Sequence, residues 1–522
     1  MIYYLAIFKR IFHVLAVLAI VLLASSCRDD FETSASTGNL EFSKDTVYLD
    51  TVFTNLGSST YRLKVYNRSD KDISIPRVAL GRANSSLYRL NVDGVAGKEF
   101  ENVEILAKDS IFVFIETTVD HNDFASSENN FLYTDAIQFE SLGMTQQVQL
   151  VTLIQDAVFL YPSKNAQGVV ETLNLGVDDT GQEIRIEGFI LEDDELIFTD
   201  EKPYVIYGYM AVAENKTLQI QAGARLHFHE NSGIIVGSQG RLEINGAPSM
   251  DQSLQENEVI LEGDRLEPLY NDIPGQWGTI WLTPKSTSSI SHATIKNATI
   301  GIIADTENDS DTIDVTVDNT QIYNSSNIGL YCVNSSLTAK NLVVNNAGLS
   351  SVWLRLGGNY DFKHCTIANY YNQGVRNFPA LTIDNYLEDV DQVLIANLEK
   401  ASFANCIIYG NENTEIGIDQ VEGTLFNFMF SNTLIRFQDT FDLFQDNALY
   451  DFNDTSHYVD NLFNISPDFK NTAENDLIIG EESGANSLGN AEIAQLVPFD
   501  LLGVDRTGAP DSGAYQSILF ED

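Results

Sequence analysis

One pattern constrains this chain more than any other, a column that recurs through its second half. It runs His292-x-x-Ile295-x-Asn297, Asn319-x-x-Ile322-x-Asn324, Asn341-x-x-Val344-x-Asn346, His364-x-x-Ile367-x-Asn369, Asn405-x-x-Ile408 and Asn432-x-x-Ile435. The aliphatic anchors at 295, 322, 344, 367, 408 and 435 are therefore 27, 22, 23, 41 and 27 residues apart. A period of this size is that of a solenoid turn. It holds three short strands and three corners, so successive turns stack in parallel at about 4.8 Å and the anchors line the interior. The repeated His and Asn fall at corners, where stacked side chains hydrogen-bond along the stack. Gly301, Gly329, Gly348 and Gly374 follow their anchors and are expected to supply the positive-φ turns.

Residues 203–301 read as short alternating strands cut by Gly, Asn and Pro, with no helix between them. Residues 40–154 carry longer alternating strands separated by Asn, Asp and Gly, the pattern of an antiparallel sandwich of about seven strands. The fold class is all-β.

The start of the chain gives an address. Lys9 and Arg10 precede a short apolar run that ends at Cys27, which describes an export signal and not a spanning helix. Leu23-Ala24-Ser25-Ser26-Cys27 resembles the lipobox, in which cleavage precedes a diacylated cysteine. Arg28-Asp29-Asp30 resembles the acidic tag that carries lipoproteins to the outside of the outer membrane, and residues 31–38 (FETSASTG) are a small polar tether.

With 30 basic and 74 acidic residues, the net charge of −44 disfavours nucleic acid and anionic membrane surfaces as partners. Membrane contact is expected through the lipid anchor only. Four cysteines occur, and Cys27 is accounted for by lipidation. Cys365 and Cys406 each lie two residues before an anchor and read as buried small hydrophobes, with a disulfide between stacked turns as the alternative.

Several stretches together carry a family resemblance: residues 203–248, residues 263–282 (GDRLEPLYNDIPGQWGTIWL), the column, FNISPDFK at 463–470 and DSGAYQ at 511–516. From about 200 to 517 the chain resembles the bacterial right-handed parallel β-helix proteins. Within them it is similar to surface lipoproteins of Bacteroidota-type bacteria, most of which have no assigned activity. The region before resembles the immunoglobulin-like modules of such lipoproteins. The resemblance implies this order: signal peptide 1–26, lipidated Cys27 and tether 27–38, immunoglobulin-like β-sandwich 39–155, connector and N-terminal cap 156–201, right-handed parallel β-helix 202–470, and closing segment 471–522. Residues 375–402 stretch one turn and are expected to project from a corner.

Parallel β-helices frequently bind or cleave acidic polysaccharides, so the residues must say which. The paired aspartates, Gly-His-Gly and Arg-x-Lys of polygalacturonase-like enzymes are absent from the repeat region. Asp305, Asp309, Asp311 and Asp314 in DTENDSDTID read as a solvated acidic loop, with a calcium site of the lyase type as the alternative; no other cofactor is implied. His292 and His364 share a repeat position that Asn fills elsewhere, which favours a corner hydrogen bonder over a catalytic base. His227 and His229 have the spacing of a strand chelate but lack a third ligand.

Aromatic residues offer the better case for recognition. Alternation places Trp277 and Trp281 on one face, as a sugar platform or as corner packing. Trp353, Tyr360, Tyr370 and Tyr371 make a second candidate patch. The expected function is non-catalytic binding or adhesion towards extracellular polysaccharide or a surface protein. A polysaccharide lyase or glycoside hydrolase is the rival, and a structural rod the third reading.

Overall fold

The computed structural model describes residues 33–120, 130–178, 180–307, 314–388 and 392–520. Cys27, the leader and the first two residues of the expected tether lie outside them. The rest of that stretch is not a free tether: Ser34–Ala35 pairs in parallel with Ile73 and Ser74, and Ser36 is buried, because its main chain completes the edge of a sheet. The chain divides between Gln155 and Asp156 into two compact units. Both are all-β, and the α-helix among the described residues is the short Ala491–Leu496.

The first unit holds a six-stranded and a five-stranded sheet that share one core. Alternation builds that core: Ser110–Thr117 buries Ile111, Val113 and Ile115 while Phe112 and Phe114 face outward. The expectation of a purely antiparallel arrangement fails at both edges of the six-stranded sheet, where Ser34–Ala35 pairs in parallel with Ile73–Leu80 and Thr46–Phe53 with Met144–Gln155. The long stretch of chain between the members of each pair permits the parallel pairing, which a tight hairpin forbids.

In the second unit the chain cycles through three series of strands. Tyr209–Val212, Thr217–Gln221 and Arg225–Phe228 belong one to each series, and each pairs in parallel with its counterpart one turn on: Gly233–Val236, Arg241–Asn245 and Val259–Gly263. The repeat column is a register. Ile295 pairs with Ile322, Ile322 with Val344, Val344 with Ile367, Ile367 with Ile408, and Ile408 with Ile435. All six are buried, each stabilising by about 1.5–3 kcal/mol relative to exposure.

The His and Asn of the column have a backbone reason. His292, Asn319, Asn341, His364, Asn405 and Asn432 all sit at φ between 48° and 54°, in the left-handed region. That conformation costs most L-residues about 1–2 kcal/mol, and Asn and His are among the side chains found there most often. Their side chains also link turns, with Asn341 Nδ2 donating to Asn319 Oδ1 at 2.8 Å and Asn405 Nδ2 to His364 Nε2 at 2.9 Å. The glycine expectation is corrected accordingly. Gly301, Gly329, Gly348 and Gly374 are not among the positive-φ residues. The first three allow close stacking instead: a Cβ would lie 2.5 Å from the Gly329 carbonyl oxygen at Gly301, 2.4 Å from Val344 at Gly329, and 2.2 Å from the Ser326 carbonyl oxygen at Gly348.

Toward the end of the stack the interior is aromatic. Phe362, Phe403, Phe430 and Tyr458 stack in succession at centroid spacings of 4.9, 5.0 and 5.6 Å. Cys332, Cys365 and Cys406 are buried free thiols. Phe437, Phe444, Tyr450, Phe452 and Phe463 close the last turns. The segment after 471 runs along the outer flank of the anchor series. Tyr515 Oη donates to Gln321 at 3.2 Å, Arg506 Nη2 to Asn341 at 3.1 Å, the Gly513 amide to the Asn405 carbonyl at 2.8 Å and Ser512 Oγ to the Asn432 carbonyl at 2.6 Å.

Candidate binding face and cleft

Of the two readings of Trp277 the structure takes corner packing, and the residue is unavailable as a sugar platform. It is 1% exposed, stacks on Phe228 at 4.4 Å and donates from Nε1 to the Lys296 carbonyl at 2.9 Å. Strict alternation begins only at Ile280–Leu282, so Trp277 enters from a corner and seals the core.

Trp281 does face outward, and pairing places it in a row. Ile235, Trp281, Ile303, Tyr331 and Trp353 are successive partners on neighbouring turns, with Thr382 next. The residues before and after them, such as Ile280 and Leu282, or Val352 and Leu354, point into the core. Leu173, Leu175 and Ile186 of the hairpin Thr172–Val177/Glu183–Ile190 cover the start of this row around Tyr209, Ala211 and Ile235, and Trp281 packs against the same cluster with its Nε1 buried and the ring partly exposed. From Trp281 to Trp353 is three ladder steps, about 14 Å.

Trp353 is held firmly. Its Nε1 donates to Asp384 Oδ2 at 2.7 Å, Tyr331 meets it edge-on at 6.0 Å, Phe378 lies 5.5 Å away, and the Arg355 guanidinium sits 5.0 Å from the ring. Burial raises the pKa of the Asp384 carboxyl despite the hydrogen bonds from Trp353 and the Leu356 amide. The Tyr331 hydroxyl is raised for the same reason. Beside this spot the hairpin of Tyr386–Glu388 and Val393–Ile395 turns Val393, Leu394 and Ile395 outward.

Tyr360, Tyr370 and Tyr371 do not join Trp353. Tyr360 is fully buried, with its hydroxyl on the Gly357 carbonyl at 2.9 Å. Tyr370 packs edge-on against Phe469 under the closing segment, and Tyr371 lines a small hollow with Asp272, Asn324 and Asn346. Tyr331 and Phe378 stand beside Trp353 instead, and neither carries a signal in the sequence.

Among the described residues, His227, His229 and the flanks of the acidic loop are engaged with protein partners. His227 is buried 3.5 Å from Glu262, itself paired with Lys296 at 2.8 Å, while His229 pairs with Asp264 at 2.7 Å. Asp314 accepts from Thr306 at 3.3 Å, and burial with nearby Glu307 raises the Asp305 pKa. Asp309 and Asp311 lie outside the described residues. Among the described residues no three His, Cys, Asp or Glu converge to hold a metal ion.

A second feature was invisible in the sequence. A cleft of about 460 Å³ opens between the flank of the stack and the closing segment, walled by Glu258, His292, Gln321, Tyr323, Asp476 and Tyr515 among others. Glu258 Oε2 accepts from Thr294 Oγ1 at 3.1 Å and Gln255 Nε2 at 3.0 Å. Gln321 donates to Thr294 at 3.3 Å and accepts from Tyr323 at 2.6 Å and Tyr515 at 3.2 Å. Burial raises the Glu258 pKa and lowers that of His292. These residues are separated by up to 257 positions, from 258 to 515, and only His292 carried a repeat signal.

No protein-family model and no curated protein matches the chain. Among solved structures it is similar, at 7% identity and a TM-score of 0.16, to a family 123 glycoside hydrolase from Clostridium perfringens, covering 24% of this chain and 30% of that one. A protein of unknown function from Porphyromonas gingivalis W83 matches at 14% identity and a TM-score of 0.16, over 26% of this chain and 62% of that one. The catalytic domain of a GH87 alpha-1,3-glucanase matches at 11% identity and a TM-score of 0.14, over 73% and 81%. The chain spans less than two thirds of the first two, and scores of this size establish no shared fold or chemistry.

Proposed function

We propose that this protein is a lipoprotein anchored through Cys27 to the outer membrane and facing the outside of the cell, with an immunoglobulin-like first unit and a right-handed parallel β-helix as the second. Its function is non-catalytic binding of extracellular glycan. The observation that carries this reading is the outward row Trp281, Ile303, Tyr331 and Trp353, which gives the apolar faces of several sugar residues a rigid, partly exposed surface. The Arg355 guanidinium, over the Trp353 ring, offers hydrogen-bond donors beside it. A lyase or hydrolase needs acid and base groups converging on one bond. On this face the Asp384 carboxyl already accepts from Trp353 and the Leu356 amide, which favours binding over turnover.

The test is affinity electrophoresis of the purified chain in gels holding neutral or uronate polysaccharides, with release of reducing or unsaturated ends read alongside. Retention without new ends, lost in Trp353→Ala, supports the reading; new ends replace it with the catalytic one. Retention by none of the glycans leaves the structural rod. Digestion by protease added to whole cells tests the surface assignment, which fails if the protein is cut only after lysis.

A further inference from the structure

The cleft behind Glu258 is separate from the aromatic row, and its chemistry points to a different ligand. Its volume of about 460 Å³ lies within the range of about 300–1,000 Å³ typical of small-molecule sites. Ile478, Leu501, Leu502 and the rings of Tyr323 and Tyr515 give it apolar and aromatic wall, enough to hold one face of a sugar ring.

The hydrogen bonds along the wall run one way. Tyr323 and Tyr515 donate to Gln321, Gln321 donates to Thr294, and Thr294 donates to Glu258. The donors are thereby used within the protein, and the chain of bonds ends on a carboxyl group that is 8% exposed. Its Oε2 takes both Thr294 and Gln255, and among the described residues Oε1 has no protein partner. The cleft thus offers acceptors and negative charge: Glu258, Glu474 and Asp476 face one ammonium, Lys470, which is already paired with Asp476 at 2.9 Å. The nearby Arg225 guanidinium is directed at main-chain carbonyls, those of Glu258 and Gln255 at 2.6 Å each, and not at the Glu258 carboxyl oxygens. An anion is repelled, and a neutral sugar leaves the buried carboxyl group without a charged partner at Oε1. A sugar bearing a free ammonium answers both needs, through a charge-assisted hydrogen bond to Oε1 and ring contacts with the tyrosines.

We infer that this cleft binds an amino sugar with a free amine, its ammonium on Glu258 and its ring against Tyr323 and Tyr515. The inference does not depend on the aromatic row.

The experiment is titration calorimetry of the full-length protein in detergent at pH 6.5 with glucosamine, glucose, N-acetylglucosamine and glucuronate. Glucosamine is expected to bind at least tenfold more tightly than the other three. Glu258→Gln keeps the shape and the hydrogen bonds to Thr294 and Gln255 feasible, and should weaken glucosamine at least tenfold. Ser253→Trp, on the exposed mouth and away from the core, should block it without changing the melting temperature. Trp353→Ala should leave glucosamine binding intact, and Glu258→Gln should leave polysaccharide retention intact, so the two sites fail separately. Equal binding of glucose and glucosamine, no binding of glucosamine, or an unchanged affinity in either cleft variant overturns the inference.

Discussion

Arg376 and Glu415 form a doubly hydrogen-bonded ion pair, Nη2 to Oε1 at 2.6 Å and Nη1 to Oε2 at 2.8 Å, with side chains 1% and 0% exposed. The same guanidinium donates to the carbonyls of Phe378 and Asn369, and the same carboxylate accepts the amides of Ala380 and Glu412. One buried pair therefore fixes the loop that sets Phe378 against Trp353. Removing one partner strands a buried charge, so Arg376→Ala is expected to destabilise the second unit by about 3–5 kcal/mol, read by urea denaturation. Arg376→Met combined with Glu415→Leu should cost much less than the two single changes summed. At the same time it should loosen Phe378 and lower glycan retention.

The three tryptophans separate into two kinds. Trp277→Ala opens a cavity in the core beside Phe228 and should cost about 3–5 kcal/mol. Trp281→Ala and Trp353→Ala should each cost less in denaturation, because their rings are only partly buried, and both should weaken retention on polysaccharide gels. Retention unchanged in both would remove the outward row from consideration.

His364 makes stability depend on pH. It is fully buried, its Nε2 accepts from Asn405, and burial, with the Arg506 charge adding, holds its pKa down to about 2. The unfolded chain takes up that proton near pH 6.5. Stability is thus complete above about 6.5 and falls as pH drops from there toward 2, by up to about 1.4 kcal/mol per unit. Asparagine fills the same column position in other turns and accepts the same hydrogen bond. His364→Asn should therefore remove about 2 kcal/mol of the stability difference between pH 7 and pH 5, measured by denaturant unfolding at both.

The left-handed corners can be tested through one residue. At Asn432, with φ 49°, both Ala and Gly lose the side-chain bond to the Leu488 carbonyl. Only Ala keeps a Cβ that resists the conformation. Asn432→Gly should accordingly be about 1 kcal/mol more stable than Asn432→Ala, the reverse of their order in ordinary strands.

What could be read from sequence was whatever repeats. Ile295, Ile322, Val344, Ile367, Ile408 and Ile435 are anchors by spacing and partners by register, because one turn packs on the next with the same side chain in the same place. The column of His and Asn is legible as corners but not as left-handed backbone, since Gly is the usual occupant of that conformation and here the asparagines and histidines hold it while Gly301, Gly329 and Gly348 serve close packing. The outward row was half legible: Trp281 and Trp353 stand out by type, while Tyr331 and Phe378 acquire meaning only from pairing across turns and from the Arg376 loop. The cleft was not legible at all. Glu258 looks like any other acidic residue until the closing segment brings Asp476 and Tyr515 beside it.

That closing segment changes how the second unit comes apart. A stack in which each turn touches only its neighbours can fray from either end, one layer at a time. Here a single strip of chain is fastened at Gln321, Asn341, Asn405 and Asn432, on four different turns. No terminal layer in that stretch can peel away while the strip stays in place, and the strip cannot lift without releasing every layer it crosses. The fastening thus ties a stretch of local equilibria into one cooperative event, so a molecule stretched between its two ends yields there at one threshold force instead of creeping apart turn by turn.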